Sequence, residues 1–196
     1  MGKTDTQEIA CQQVLVEDNS VFSIQWTDLP PDLSRGLNPE SLLEKYLACI
    51  RRLSAGLLSP ETGSDAIRFV FIRSFPLLTF LPPAVCMSDE GEGLALRISG
   101  GLLVQQDQCH RGEMMLLLKK LPDGFIRVTV RLSDYCPLLL GSRRPSAIRR
   151  WLYRFTQASI HRMVTVRFLA TLYRELGGRA TSIKTVRVQV LQGVKT

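Results

Sequence analysis

Residues 145–176 read PSAIRRWLYRFTQASIHRMVTVRFLATLYREL, and the reading of this stretch decides the fold class. Pro145 suits a first helical turn, where its ring pre-sets φ and its missing donor would have had no partner. Gly177 and Gly178 follow the last apolar residue, where a left-handed stop is easiest. At about 100° per residue, Ile148, Trp151, Leu152, Phe155, Met163, Val166, Leu169, Tyr173 and Leu176 fall into one stripe, which needs a partner surface. One long amphipathic helix is therefore expected over 145–176, with Trp151, Phe155, Val166, Leu169 and Tyr173 buried. Arg149, Arg167 and Arg174 fall along one flank, and Arg150 and Arg154 lie near the opposite side. Arg162 falls inside the stripe, where a guanidinium is costly unless paired. It either snorkels to the edge, or escapes through a kink near 156–159, or is a buried arginine aimed at a ligand or carboxylate.

Upstream, the partner surface reads as a sheet. Residues 21–26, VFSIQW, alternate as a strand does. Asn38-Pro39-Glu40 supplies an N-cap, a first-turn proline and a first-turn acid, and Leu42, Leu43, Tyr46, Leu47, Ile50, Leu53 and Leu57 continue as a helical face. That helix stops before Ser59-Pro60. From Ile67 the period changes to two: 67–73 is a strand, and proline-broken 75–85 is either an edge strand or a covering segment. Residues 94–105 form a strand in which Gly100-Gly101 marks a bulge or a sharp bend, and 113–121 and 125–132 pair as a hairpin around Pro122-Asp123-Gly124. Residues 183–191, IKTVRVQVL, read as a closing strand. Residues 1–20 lack sustained periodicity and read as a polar N-terminal tail, which leaves 21–196 as a single α+β domain.

A first strand, a helix, a run of antiparallel strands and a long helix near the C terminus resemble the START-like or helix-grip (SRPBCC-type) proteins. There, a curved antiparallel sheet packs on the long helix and leaves a cavity between them. The resemblance rests on element order over about residues 20–176 and on no diagnostic motif. Two features depart from it: one helix instead of two after the first strand, and a strand after the long helix. It implies a cavity for a hydrophobic small molecule or lipid, and such families include carriers, cyclases and protein-regulating modules. Met114, Met115, Phe71, Phe125 and Trp151 are adaptable or aromatic residues of the kind that line pockets, and equally of the kind that fill cores. Phe71, Met115, Phe125, Tyr135, Trp151, Phe155 and Arg162 are the expected lining.

The 196 residues carry a net charge of +7, and the excess is local. Through Asp134 there are 13 Lys and Arg against 17 Asp and Glu; from Tyr135 onward there are 12 against the single acid Glu175. Nineteen of the 25 basic residues are arginine, whose planar fork suits phosphates and carboxylates. The alternative function is thus an interaction module in which Arg143, Arg144, Arg149, Arg150 and Arg154 dock an anionic partner: nucleic acid, an anionic membrane or an acidic protein. A solvated face balanced by the acidic first half is the plainer account of the same charges.

No motif names a reaction, so no catalytic residue is assigned. Cys136 with His110 or His161 supplies a thiol and an imidazole but no local signature joining them. His161 lies off the apolar stripe and is expected at the surface. Cys11, Cys49, Cys86, Cys109 and Cys136 are odd in number and widely spaced, which fits reduced thiols and gives no zinc ligand set, so neither metal nor cofactor is expected. Asp134, between the last sheet strand and the helix, is expected either to pair with a helix arginine or to serve as a turn residue. The opening MGKTDT formally matches the N-myristoylation pattern at Gly2, with an ordinary polar tail as the plainer reading. With no apolar run long enough to span a bilayer and no secretory signal, a soluble cytoplasmic protein is expected.

Overall fold

The computed structural model describes residues 6–108, 110–140, 148, 159–180, 182–192 and 194–195. In chain order the elements are β1 (Thr6–Leu15), β2 (Val21–Leu29), α1 (Pro39–Leu53), β3 (Leu58–Thr62), β4 (Ile67–Phe71), β5 (Phe75–Phe80), β6 (Ala84–Ser88), β7 (Gly91–Gly100), β8 (Glu113–Lys120), β9 (Ile126–Tyr135), α2 (Ser159–Glu175), β10 (Ser182–Arg187) and β11 (Val194–Lys195). The strands form one mixed sheet in the order β10-β1-β2-β9-β8-β7-β5-β4-β3, with β6 beside β7 and β11 beside β1. Every described pairing is antiparallel except β1 with β10. The chain is therefore α+β, with two described helices on a large sheet.

Local chemistry accounts for α1 and for the β8–β9 hairpin. The Asn38 side chain accepts from the Ser41 backbone N–H at 2.8 Å, and Ser41 Oγ accepts from the Asn38 N–H at 3.2 Å, so a reciprocal cap closes the helix start ahead of Pro39. Left-handed Ala55 and Gly56 end it, with the Gly56 N–H donating to the Arg51 carbonyl at 2.9 Å. In the hairpin turn Gly124 takes φ 83°, and the Leu121 N–H donates to the Phe125 carbonyl at 2.8 Å. Pairing then puts Met114, Leu116 and Leu118 opposite Leu132, Val130 and Val128 on the face that meets the helices. On that face α1 packs over β7 and β8 and α2 over β1 and β2. The helices meet where the Tyr46 and Phe168 rings stand edge to face at 5.1 Å, and Arg52 closes the junction by donating to Glu175 at 2.9 Å.

Several expectations need correction. The stretch assigned to a polar tail supplies β1, paired on both sides by β2 and β10, so the sheet begins at Thr6. α1 stops before Ser59-Pro60 as expected, but the residues after it form an additional strand, β3, at the sheet edge, where the missing ladder donor of Pro60 is tolerated. The long helix is shown only as the 17 residues of α2; apart from Ile148, residues 141–158 lie outside the described residues. The phase of the helix also differs. Its inner face is Thr165, Phe168, Leu169, Leu172 and Tyr173, whereas Ile148 and Met163, both placed in the stripe, are 72% and 44% exposed, and Arg162 is exposed as well. Leu169 and Tyr173 are buried as expected, Val166 is half-buried, and Trp151 and Phe155 lie outside the described residues.

The expected bend at Gly100-Gly101 has a specific cause. Gly101 adopts φ 120°, and a Cβ there would run into the Leu77 carbonyl, because β5 and the segment after β7 are held together by Leu102 N–H to Pro76 O at 2.9 Å and Leu103 N–H to Leu77 O at 3.0 Å. A Gly101→Ala change should therefore cost at least about 1–3 kcal/mol. Urea unfolding measures it, and a variant as stable as the parent would show that this approach is not tight in solution.

Candidate functional site

The helices do not fill the whole of the sheet face they cover. A cavity of about 580 Å³ lies between them, walled by Phe69 and Phe71 of β4, Leu77, Leu78 and Phe80 of β5, Ile98 of β7, Met114 of β8 and Leu132 and Tyr135 of β9. Tyr46 and Ile50 of α1 and Ile160, His161 and Val164 of α2 form the opposite wall. Leu138 and Ile160 line it while remaining 50% and 56% exposed, which marks where it opens to solvent. Among the described residues no Asp, Glu, Lys or Arg lines it. The Tyr135 hydroxyl donates to the Leu103 carbonyl at 2.8 Å, so this polar tip is already engaged.

Of the residues expected to line a cavity, the structure places Phe71 and Tyr135 on its wall. Met115 is excluded by strand parity. It pairs in register with Arg131 on the far face of the sheet, where its sulfur accepts from Arg131 Nη2 at 2.8 Å, and its neighbour Met114 takes the cavity position. Phe125 stands half-buried just after the hairpin turn and is absent from the wall, and exposed Arg162 does not reach it. Arg143, Arg144, Arg149, Arg150 and Arg154 lie outside the described residues.

His161 was expected at the surface and instead lines the cavity. The residue as a whole is half-buried, yet Nε2 is shut off from water and has no partner among the described residues. Burial pushes the imidazole down to about 4, so it is neutral at physiological pH. The signal was present as the spacing 161, 164, 165, 168, 172, a helical stripe that emerges once the phase is taken from Phe168 and not from Ile148. Burial likewise raises the Tyr46 phenol, with the Thr165 hydroxyl pulling it partly back.

A second, polar hollow of about 720 Å³ lies beside the first, bordered by Glu17, Asp18, Asn19, residues 105–108, Arg111, Cys136 and Leu138. Arg111 pairs there with Asp18 and lies 3.8 Å from Asp134, so among the described residues Asp134 has a loop arginine beside it. The Arg111 hydrogen bond holds the Asp18 carboxyl down to about 2. Burial raises the Cys136 thiol, the direction opposite to that of an activated nucleophile. The described cysteines Cys11, Cys49, Cys86 and Cys136 are free thiols, and no three His, Cys, Asp or Glu side chains among the described residues are placed to hold a metal ion. No described helix is long and apolar enough to cross a membrane.

Comparison with known proteins adds no further identification: no family model, no curated protein and no solved structure matches the chain.

Proposed function

We propose that the chain binds a hydrophobic small molecule or lipid in the cavity between the sheet and the two helices. The observation that carries this reading is the cavity itself, about 580 Å³ with an almost wholly apolar wall. That size lies within the range of small-molecule sites. Protein interiors are ordinarily packed to crystal density, so a void of this size gives up many dispersion contacts that an apolar guest restores.

The helix-grip likeness belongs to the same proposal. It is supported by the antiparallel run in which β2 lies beside β9 and the sheet continues through β8, β7, β5 and β4 to β3, with α1 following β2 and α2 following β9. The additions are β1 and β10, which extend the sheet beyond β2. The alternative, an anionic partner on Arg143, Arg144, Arg149, Arg150 and Arg154, rests on the charge pattern alone.

Nile red, a neutral apolar fluorophore, should bind the parent protein at micromolar concentration, with a Kd nearly unchanged between about 50 and 200 mM salt, whereas binding through several phosphate contacts weakens by orders of magnitude over that range. Val164→Trp, which places an indole in the cavity, should reduce Nile red binding at least tenfold. A parent that takes up no Nile red, or a filled variant that binds it as the parent does, would overturn the proposal.

A further inference from the structure

Apart from Tyr135, whose hydroxyl is engaged, the polar side chains among the described residues of the cavity wall are Tyr46 and His161, at the junction of α1 and α2, with Thr165 beside them in the core. His161 and Thr165 stand one helical turn apart on the inner face of α2, and Tyr46 faces them from α1 with its ring against Phe168. His161 Nε2 and Thr165 Oγ1 are both closed off from water, and neither has a hydrogen-bond partner among the described residues. The Thr165 hydroxyl lies close enough to the Tyr46 phenol to draw it partly back down, which leaves His161 Nε2 as the atom with the clearest need of a partner. An unpaired buried polar group is destabilising, and His161 Nε2 is the one of these two atoms whose residue lines the cavity, so it marks the place where a guest's polar atom gains more than it would elsewhere on the wall.

Resting on the cavity reading above, we propose that the guest is an apolar alcohol, its hydroxyl held by His161 beside Tyr46 and its hydrocarbon body lying along Phe69, Phe80, Ile98 and Met114. Three features of the site select this class. The described wall holds no cation to receive a carboxylate or phosphate, and an uncompensated charge is expensive in such surroundings. Burial keeps the imidazole neutral, so it supplies no positive charge either. A neutral imidazole presents one donor and one acceptor nitrogen, and a hydroxyl, being both donor and acceptor, meets Nε2 in either tautomer, while an ether or ketone oxygen meets only one.

The test is displacement of Nile red from the full chain by 1-decanol, decane and decanoate, for the parent, His161→Phe and Tyr46→Phe. Removing the imidazole should weaken 1-decanol about tenfold, the effect of one lost hydrogen bond to a buried group, and leave decane unchanged. Tyr46→Phe, which keeps the ring against Phe168, should weaken 1-decanol by a smaller factor and serves if the histidine variant does not fold. Variants that bind 1-decanol and decane as the parent does would overturn the hydroxyl assignment and leave the apolar cavity standing. Decanoate binding more tightly than 1-decanol would overturn it in favour of an anionic head. If neither Nile red nor any of the three binds the parent, the cavity reading itself fails and the assignment fails with it.

Discussion

Replacing Phe168 by alanine should destabilise the protein by about 3 to 5 kcal/mol, the range for emptying a buried aromatic position. Phe168 is 1% exposed, and its ring meets Tyr46 at 5.1 Å, so it is the side chain through which α2 is keyed to α1. Deleting the ring removes apolar contacts on both helices, next to a cavity that already adjoins them. Phe168→Leu, which keeps most of the volume, should recover a large part of the loss. Urea unfolding of the two variants gives the comparison. If Phe168→Ala unfolds within about 1 kcal/mol of the parent, α2 is not the clamp that its burial indicates.

Acidification should produce a loss of similar size through a single side chain. Burial lowers the His161 imidazole to about 4, against an ordinary value near 6.5 in the unfolded chain. Between those two values the unfolded chain takes up a proton that the folded chain refuses, so stability falls as pH falls through that window. The contribution is fully present above about pH 6.5 and is lost by about pH 4, a change on the order of 3 kcal/mol. Asp18 acts in a lower window: Arg111 holds it near 2 against an ordinary 3.8, so its contribution is lost only as pH falls from about 4 towards 2, and solvent screening of this largely exposed pair keeps it small. Unfolding midpoints at pH 7, 6, 5 and 4 for the parent and His161→Phe separate the histidine from everything else. The variant should show a distinctly flatter dependence, and equal slopes would mean that His161 is open to water in solution.

The elements legible in the chain are those decided by neighbours in sequence. Asn38, Pro39 and Ser41 specify the start of α1 by a cap that closes within four residues, and Asp123 and Gly124 specify the hairpin by a turn that needs no distant partner. The β-branched and aromatic residues of 67–71 and 126–132 report strands because one face of each is packed into the core while the other carries Arg68 or Arg127 and Arg131. The α+β class follows from those local facts together.

What the sequence left open was settled by pairing across long separations. β1 carries Gln12 and Gln13 among its buried residues, so no hydrophobic alternation announces it. It is a strand because β2 and β10 satisfy both its edges, and because the Gln12 side chain accepts the backbone N–H groups of Val190 and Leu191, 178 and 179 residues away. Met114 and Met115 are chemically interchangeable, and only the register of β8 on β9 turns the first towards the cavity and the second towards Arg131. The apolar residues of α2 occupy both of its sides, with Met163 outward and Phe168 and Leu172 inward, so periodicity alone offered two phases and the wrong one placed His161 in water. Local rules set which segments become helix or strand, because capping, turn and period are short-range. Which face of each segment is dry depends on the partner it meets, and that is decided only when the sheet closes against the helices.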